Sequence, residues 1–198
     1  MKKRLIIGAV ICLSIMTIFG CGSKKSEKKD KKFEITINND TKSFYDKIEK
    51  TDIQNEIMTE ENTDLLDFAE EIDGRKVIGT IEIEKIDYKG IVYENTELST
   101  LKYGVGHFTS SPYINGNVCL AAHNTDQFWA RLKELSTGDK ILYKTFWGNK
   151  SYEVFNSSII DETDFSLLEN SDQNIITLIT CVKNNKPKRL CVQAKEIL

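Results

Sequence analysis

Histidine is scarce in this chain, with two in 198 residues, and there is neither a Cys-x-x-Cys pair nor a His-Glu-x-x-His run. Protein metal centres draw on several such ligands at short spacing, so the sequence gives a metal site little support. Cysteine is sparse too: five in all, with Cys12 and Cys21 in the N-terminal apolar segment and only Cys119, Cys181 and Cys191 beyond it. That is too few for a disulfide-stapled scaffold, and a core-stabilised domain is expected instead. An excess of positive charge is also missing. The net charge of −3 removes a general electrostatic case for nucleic acid. The acidic cluster Glu60, Glu61, Asp64, Asp67, Glu70 and Glu71 lacks the glycine-containing loop of a calcium hand and reads as a solvated helix face. No internal repeat is visible.

What is present begins with Met1-Lys2-Lys3-Arg4, followed by an uncharged, mostly apolar stretch from Leu5 to Phe19 and then Gly20-Cys21-Gly22-Ser23. A basic start before an apolar run of this length reads as an export signal. Residues 1–21 are therefore a signal segment, either uncleaved as an anchor or ending in a lipobox with Cys21 as the lipid acceptor. Both tether the chain to the outer face of the cell membrane. Residues 22–73 form a charged stalk: Ser23 to Lys32 is almost wholly Lys, Ser, Glu and Asp, which cannot bury enough surface to order itself. A short helix is expected after Thr63, with Leu65, Phe68 and Ile72 on one stripe.

At Asp73-Gly74 the texture changes to alternation. Strands are expected at Val77 to Ile83, Tyr88 to Tyr93, Asn117 to Ala122, Lys140 to Lys144, Tyr152 to Ile160, Asn174 to Cys181 and Arg189 to Ala194. Short helical runs are expected near Asp126 to Glu134 and Asp164 to Leu168. Seven or eight short strands with few helices indicate a mainly β, single barrel or sandwich over residues 74–198.

The chemistry concentrates near the end, in Thr177-Leu178-Ile179-Thr180-Cys181 and, eight positions later (189 − 181), Arg189. If Lys183 to Pro187 forms a hairpin loop, Cys181 and Arg189 oppose one another across an antiparallel pair, with Cα atoms roughly 4.5 to 5.5 Å apart. Alternation gives Leu190, Val192 and Ala194 the core face and Arg189, Cys191 and Gln193 the other. No carboxylate lies adjacent in this segment, so Arg189 is read as pointing out toward a groove. Cys191 falls diagonal to Cys181, roughly 7 to 8 Å away, too far for a disulfide without backbone movement, and free thiols are expected. His123 ends the apolar run Val118 to Ala122 and would emerge at a rim. Histidine beside cysteine can generate the attacking thiolate, and a guanidinium can stabilise an oxyanion.

This set resembles the sortases of Gram-positive bacteria. Thr177, Leu178, Thr180 and Cys181 meet the family pattern T-L-x-T-C, Arg189 matches the arginine of the following strand, and His123 matches the histidine after an apolar strand, with Ala122 in place of the usual glycine. Gly104-Val105-Gly106-His107-Phe108 is also sortase-like and makes His107 the competing histidine. His123 is preferred because His107 reads as part of a glycine-rich loop with no strand to fix it. The resemblance implies a closed eight-stranded barrel and a cysteine transpeptidase without a cofactor. Cys181 would attack the Thr-Gly bond of an exported protein's C-terminal Leu-Pro-x-Thr-Gly-like sorting signal, and an amine of a cell-wall precursor or pilin lysine would accept the acyl group. Thr180 would position the substrate or the arginine. The small helix content is closer to class D or class A than to class B, and class D is favoured.

Rival readings separate on order and spacing. Papain-like endopeptidases place the cysteine before the histidine, whereas His123 comes first. L,D-transpeptidases keep cysteine close behind histidine, and here 58 residues intervene (181 − 123). A non-enzymatic surface lipoprotein, binding a partner through its barrel, would account for the N-terminus and the stalk but not for the three residues together.

Overall fold

The computed structural model describes residues 70–197 together with Lys42, Ser43 and Asp46. The N-terminal apolar segment, Cys21 and the helix expected after Thr63 lie outside the described residues, apart from the end of its apolar stripe at Ile72. Nine strands follow one another: β1 (Glu70–Ile72), β2 (Arg75–Ile83), β3 (Tyr88–Glu94), β4 (Val105–His107), β5 (Asn117–Ala121), β6 (Lys140–Thr145), β7 (Gly148–Asp161), β8 (Ile175–Val182) and β9 (Asn185–Ile197). Their order is β1-β2-β3-β4-β5-β8-β9-β7-β6, and β6 returns to pair with β2. The eight strands β2 to β9 therefore close into a barrel, as expected, and closure leaves no free edge among them.

Closure demands a tight seam. At Gly79 of β2 a Cβ would lie 2.3 Å from the Lys144 carbonyl oxygen of β6, so only glycine lets the two backbones approach. Inside the barrel, Ile78, Ile81, Ile83, Leu120, Ile141, Ile176, Leu178 and Val192 are fully or almost fully buried around Tyr143, Tyr152 and Trp129. Each such side chain contributes roughly 1.5 to 3 kcal/mol over its exposed state.

Two strands differ from the expected set. Ile72, read as part of a helical stripe in the stalk, belongs to β1, which pairs with β2 across the Asp73-Gly74 turn; both turn residues have positive φ, 52° and 71°, the requirement of a tight hairpin. The described strands thus extend into the segment assigned to the stalk. Ile72 then packs with Val77, Ile91 and Tyr93 in a small second core on the outer face of β2 and β3. This covering explains why β2 is buried almost continuously where its sequence alternates. The other addition is β4, parallel to β3 and antiparallel to β5. Its glycines suggested a loop, but a Cβ on Gly106 would lie 2.5 Å from the Asn95 carbonyl oxygen, so this glycine serves close packing.

The two expected helical runs are weaker than α-helix. Residues 126–131 form turns leading to a single 3₁₀ turn at Leu132–Glu134, and the second run contracts to a 3₁₀ turn at Ser166–Leu168. The segment between β7 and β8 lies over the outer face of β5, β8 and β9. There Asn117 Nδ2 donates to the Leu167 and Glu169 carbonyls at 2.9 and 2.8 Å, and Gln193 Nε2 donates to the Leu167 carbonyl at 3.4 Å. Cys191 and Gln193, placed by alternation on the face opposite the core, are buried because this segment covers them.

Candidate active site

Strand β8 is apolar and buried along nearly its whole length, and Cys181 is its one exposed residue. It stands where β8 leaves the cover of the β7–β8 segment. The antiparallel register pairs Cys181 with Arg189, as hairpin arithmetic required. The turn itself is tighter than the expected five-residue loop. Val182 pairs with Asn185, Asn184 takes a positive φ of 61°, and the surplus residues bulge out of β9 between Asn185 and Arg189. The pairing survives because the bulge lies beyond it.

Arg189 has a partner that its own strand did not reveal. Its Nη2 donates to Glu162 Oε2 at 2.8 Å, and its Nη1 donates to the carbonyls of Lys186 at 2.6 Å and Lys188 at 3.0 Å. Glu162 follows the end of β7, which flanks β9 on the side away from β8. The guanidinium therefore leans from its place opposite Cys181 toward β7.

His123 reaches the same end of the barrel through the parallel pairing of β5 with β8. The register offset is constant at 58, from Asn117 with Ile175 (175 − 117) to Ala121 with Ile179 (179 − 121). Continued two residues, it sets His123 level with Cys181 (181 − 123 = 58). Beyond Ala121 the ladder is replaced by individual bonds. Ala122 N–H donates to the Ile179 carbonyl at 3.2 Å, Thr180 Oγ1 donates to the Ala122 carbonyl at 2.8 Å, and Asn124 Nδ2 donates to the Cys181 carbonyl. The chain then curls: the His123 carbonyl accepts from Thr125 and Trp129 N–H groups, both at 3.0 Å, and Trp129 is fully buried in the core. His123 itself is half-buried, its ring 6.5 Å from that of Phe128.

Thr180, expected to position the substrate or the arginine, is 2% exposed, and its hydroxyl donates to the Ala122 carbonyl in the histidine segment. Neighbouring strand residues point to opposite faces, and Cys181 takes the outer one. Sequence reasoning missed Asn124 and Glu162. The adjacency of Asn124 to His123 was the only available hint, and nothing local marks Glu162.

The other two cysteines among the described residues are of another kind. Cys119, Cys181 and Cys191 are all free, but burial pushes the Cys119 and Cys191 thiols up to about 12, while Cys181 alone of the three is exposed. A thiol held protonated is a poor nucleophile.

His107 is not in a loop: it ends β4 and is fully buried. Its Nε2 lies 3.1 Å from the Pro112 carbonyl and 3.0 Å from Ser111 Oγ, its Nδ1 lies 3.7 Å from Glu94, and its ring stacks on Tyr113 at 4.7 Å. Burial, and then the Glu94 carboxylate, push the Tyr113 hydroxyl up to about 12. His107 knits β3, β4 and the following loop and presents no atom to solvent. The strand that was thought missing fixes it inside the barrel.

Among the described residues no group of three or more His, Cys, Asp or Glu is arranged to hold a metal ion, and no helix is long and apolar enough to cross a membrane. The exposed thiol, the histidine level with it and the arginine paired with it share one end of the barrel. Such a set can attack a carbonyl, move a proton to a leaving amine and stabilise an oxyanion.

Comparison with known proteins bears on the family and the fold. The family model described as the sortase domain matches residues 81–197, more than half of the chain. A Bacillus subtilis protein named sortase D is 32% identical over 127 residues, spanning 60% of this chain and 63% of that protein. A Listeria monocytogenes sortase A is 27% identical over 139 residues, spanning 68% of this chain and 63% of that protein. The chain thus spans less than two thirds of either relative's length. Among solved structures, a Clostridium perfringens sortase D5 transpeptidase is 26% identical with a TM-score of 0.61, covering 79% of this chain and 95% of that one.

Proposed function

The chain belongs to the sortase family, and on that premise we propose that it is a cysteine transpeptidase of class D type, acting on exported proteins at the outer face of the membrane. The observation that carries this reading is the register: an exposed Cys181 paired with Arg189 and level, through the offset of 58, with His123. The thiolate of Cys181 attacks the carbonyl carbon of the Thr-Gly bond in a Leu-Pro-x-Thr-Gly-like sorting signal. Donors on Arg189 meet the oxygen as it gains charge. The bond to glycine breaks as His123 gives its proton to the departing amine, leaving a thioester on Cys181. An acceptor amine, from a cell-wall precursor or a pilin lysine, then attacks the thioester. His123 takes the amine's proton, the new amide forms and the thiolate leaves. The small helix content speaks against class B, and the similarity to proteins named sortase D and D5 supports class D.

Tethering follows from residues 1–21, through the apolar run Leu5 to Phe19 as an anchor or through lipid on Cys21. Fluorogenic sorting peptides test the chemistry, with intact-mass detection of the acyl-enzyme. Wild-type protein gains the mass of the peptide's acyl portion and Cys181→Ala does not. Undiminished cleavage by Cys181→Ala eliminates the thioester mechanism at this residue.

A further inference from the structure

Strand β5 stops pairing at Ala121, two residues before His123, although His123 is the residue that must hold its level. The reason is the core. Trp129 has to enter the barrel end, and the turn that carries it there closes on the His123 carbonyl, which accepts both Thr125 and Trp129 N–H groups. Had β5 run on, the pattern set by Ala122 N–H on the Ile179 carbonyl would have sent the N–H of residue 124 to the carbonyl of Cys181. The curl forfeits that backbone bond at the position of the thiol, and the side-chain amide of Asn124 takes its place on the Cys181 carbonyl.

We propose that Asn124 is a positioning residue that substitutes for the lost ladder bond and keeps His123 level with Cys181; this rests on the reading of Cys181 as the nucleophile. The neighbouring ties lie to either side of that position. Thr180 joins the two segments one residue earlier and on the core side, and Trp129 fixes the far end of the turn. Between them lies His123, and the Asn124 amide is the tie that meets the carbonyl of the thiol residue itself. Asn suits the task because its amide N–H₂ donates where the acceptor is a carbonyl. Aspartate would offer only acceptors, and serine is shorter than the gap that the backbone has opened. Misplacing a proton-transfer group by about 1 Å can cost a hundredfold in rate.

The variants are Asn124→Leu, which keeps the branched shape, removes the donor and adds no charge, and Asn124→Gln, which keeps the donor on a longer stem. In the full chain, the rate of iodoacetamide alkylation at Cys181 is followed against pH by site-resolved mass spectrometry for wild type, both variants and His123→Ala. Sorting-peptide kinetics are run alongside. The Asn124→Leu profile moves toward that of His123→Ala, its kcat falls on the order of tenfold to a hundredfold with KM within about twofold, and its melting temperature stays within a few degrees. Asn124→Gln lies between Asn124→Leu and wild type. An Asn124→Leu profile superimposed on wild type, with kcat unchanged, overturns the proposal. If the wild-type chain cleaves no sorting peptide, the proposed reaction fails, and the alkylation profiles still decide the role of Asn124. Should Asn124→Leu fail to fold, Asn124→Gln tests the same point, since a profile identical to His123→Ala despite its donor contradicts the assignment.

Discussion

Replacing Thr180 by valine isolates one buried hydroxyl. Valine has the shape of threonine, so the packing around residue 180 is kept and only the 2.8 Å bond to the Ala122 carbonyl is lost. Residue 180 is 2% exposed, so water cannot reach in from its side to compensate. Leaving a buried acceptor without its donor costs about 1 to 3 kcal/mol. With an unfolding entropy of about 2.1 cal/mol/K per residue over the folded unit, that loss lowers the melting temperature by roughly 4 to 11 °C. Because Ala122 precedes His123, kcat for sorting-peptide cleavage falls as well. Thr180→Ser, which keeps the hydroxyl and gives up one methyl, costs about 1 kcal/mol through packing and retains most of kcat. Calorimetry and peptide kinetics on the three proteins form the assay. A Thr180→Val protein that melts within about 1 °C of wild type and turns over equally fast would refute the view that this bond holds the histidine segment.

Two further outcomes follow from the cysteines and from the arginine. Site-resolved alkylation at pH 8 labels Cys181 while Cys119 and Cys191 stay unmodified until denaturant is added. Both buried thiols are raised from 9.0 to about 12 by burial, so their thiolate fraction is negligible at that pH and grows only as the pH climbs toward 12. Equal labelling of all three in the native protein would contradict the burial. Glu162→Gln removes a partly exposed ion pair worth about 0.2 to 1 kcal/mol, freeing the guanidinium for substrate. The KM for the sorting peptide then falls by about 1.4-fold to fivefold, and added salt lowers KM in wild type more than in the variant. A loss of kcat in Glu162→Gln would mean instead that the carboxylate holds Arg189 in its working position.

Much of this molecule could be read before any coordinates. The pairing of Cys181 with Arg189 follows from counting across a hairpin, because antiparallel register depends only on where the chain reverses. It survived even though the turn is shorter than expected, since the surplus residues bulge outside the pair. Seven strands announced themselves through alternation or unbroken apolar runs, because β geometry imposes a period of two on any half-buried segment. The residues that escaped did so for physical reasons. The segment Val105–His107 carries glycine for close packing, and glycine for close packing looks the same in a sequence as glycine for a loop. Ile72 sits at the end of a charged segment whose spacing fits a helix equally well, and only its pairing across the Asp73-Gly74 turn decides for strand.

By itself the sequence determined the chemical types, their order and the face on which Cys181 and Arg189 stand, because these depend on side-chain identity and local periodicity. Tertiary structure alone decided the register that sets His123 level with Cys181 and what holds each group. The offset of 58 that levels His123 with Cys181 is a property of two strands brought side by side from distant parts of the chain, and no local pattern encodes it. The same holds for Glu162 on Arg189, for Asn124 on the Cys181 carbonyl and for the covering that buries Cys191. Each is a contact across strands or loops, set by how the barrel closes.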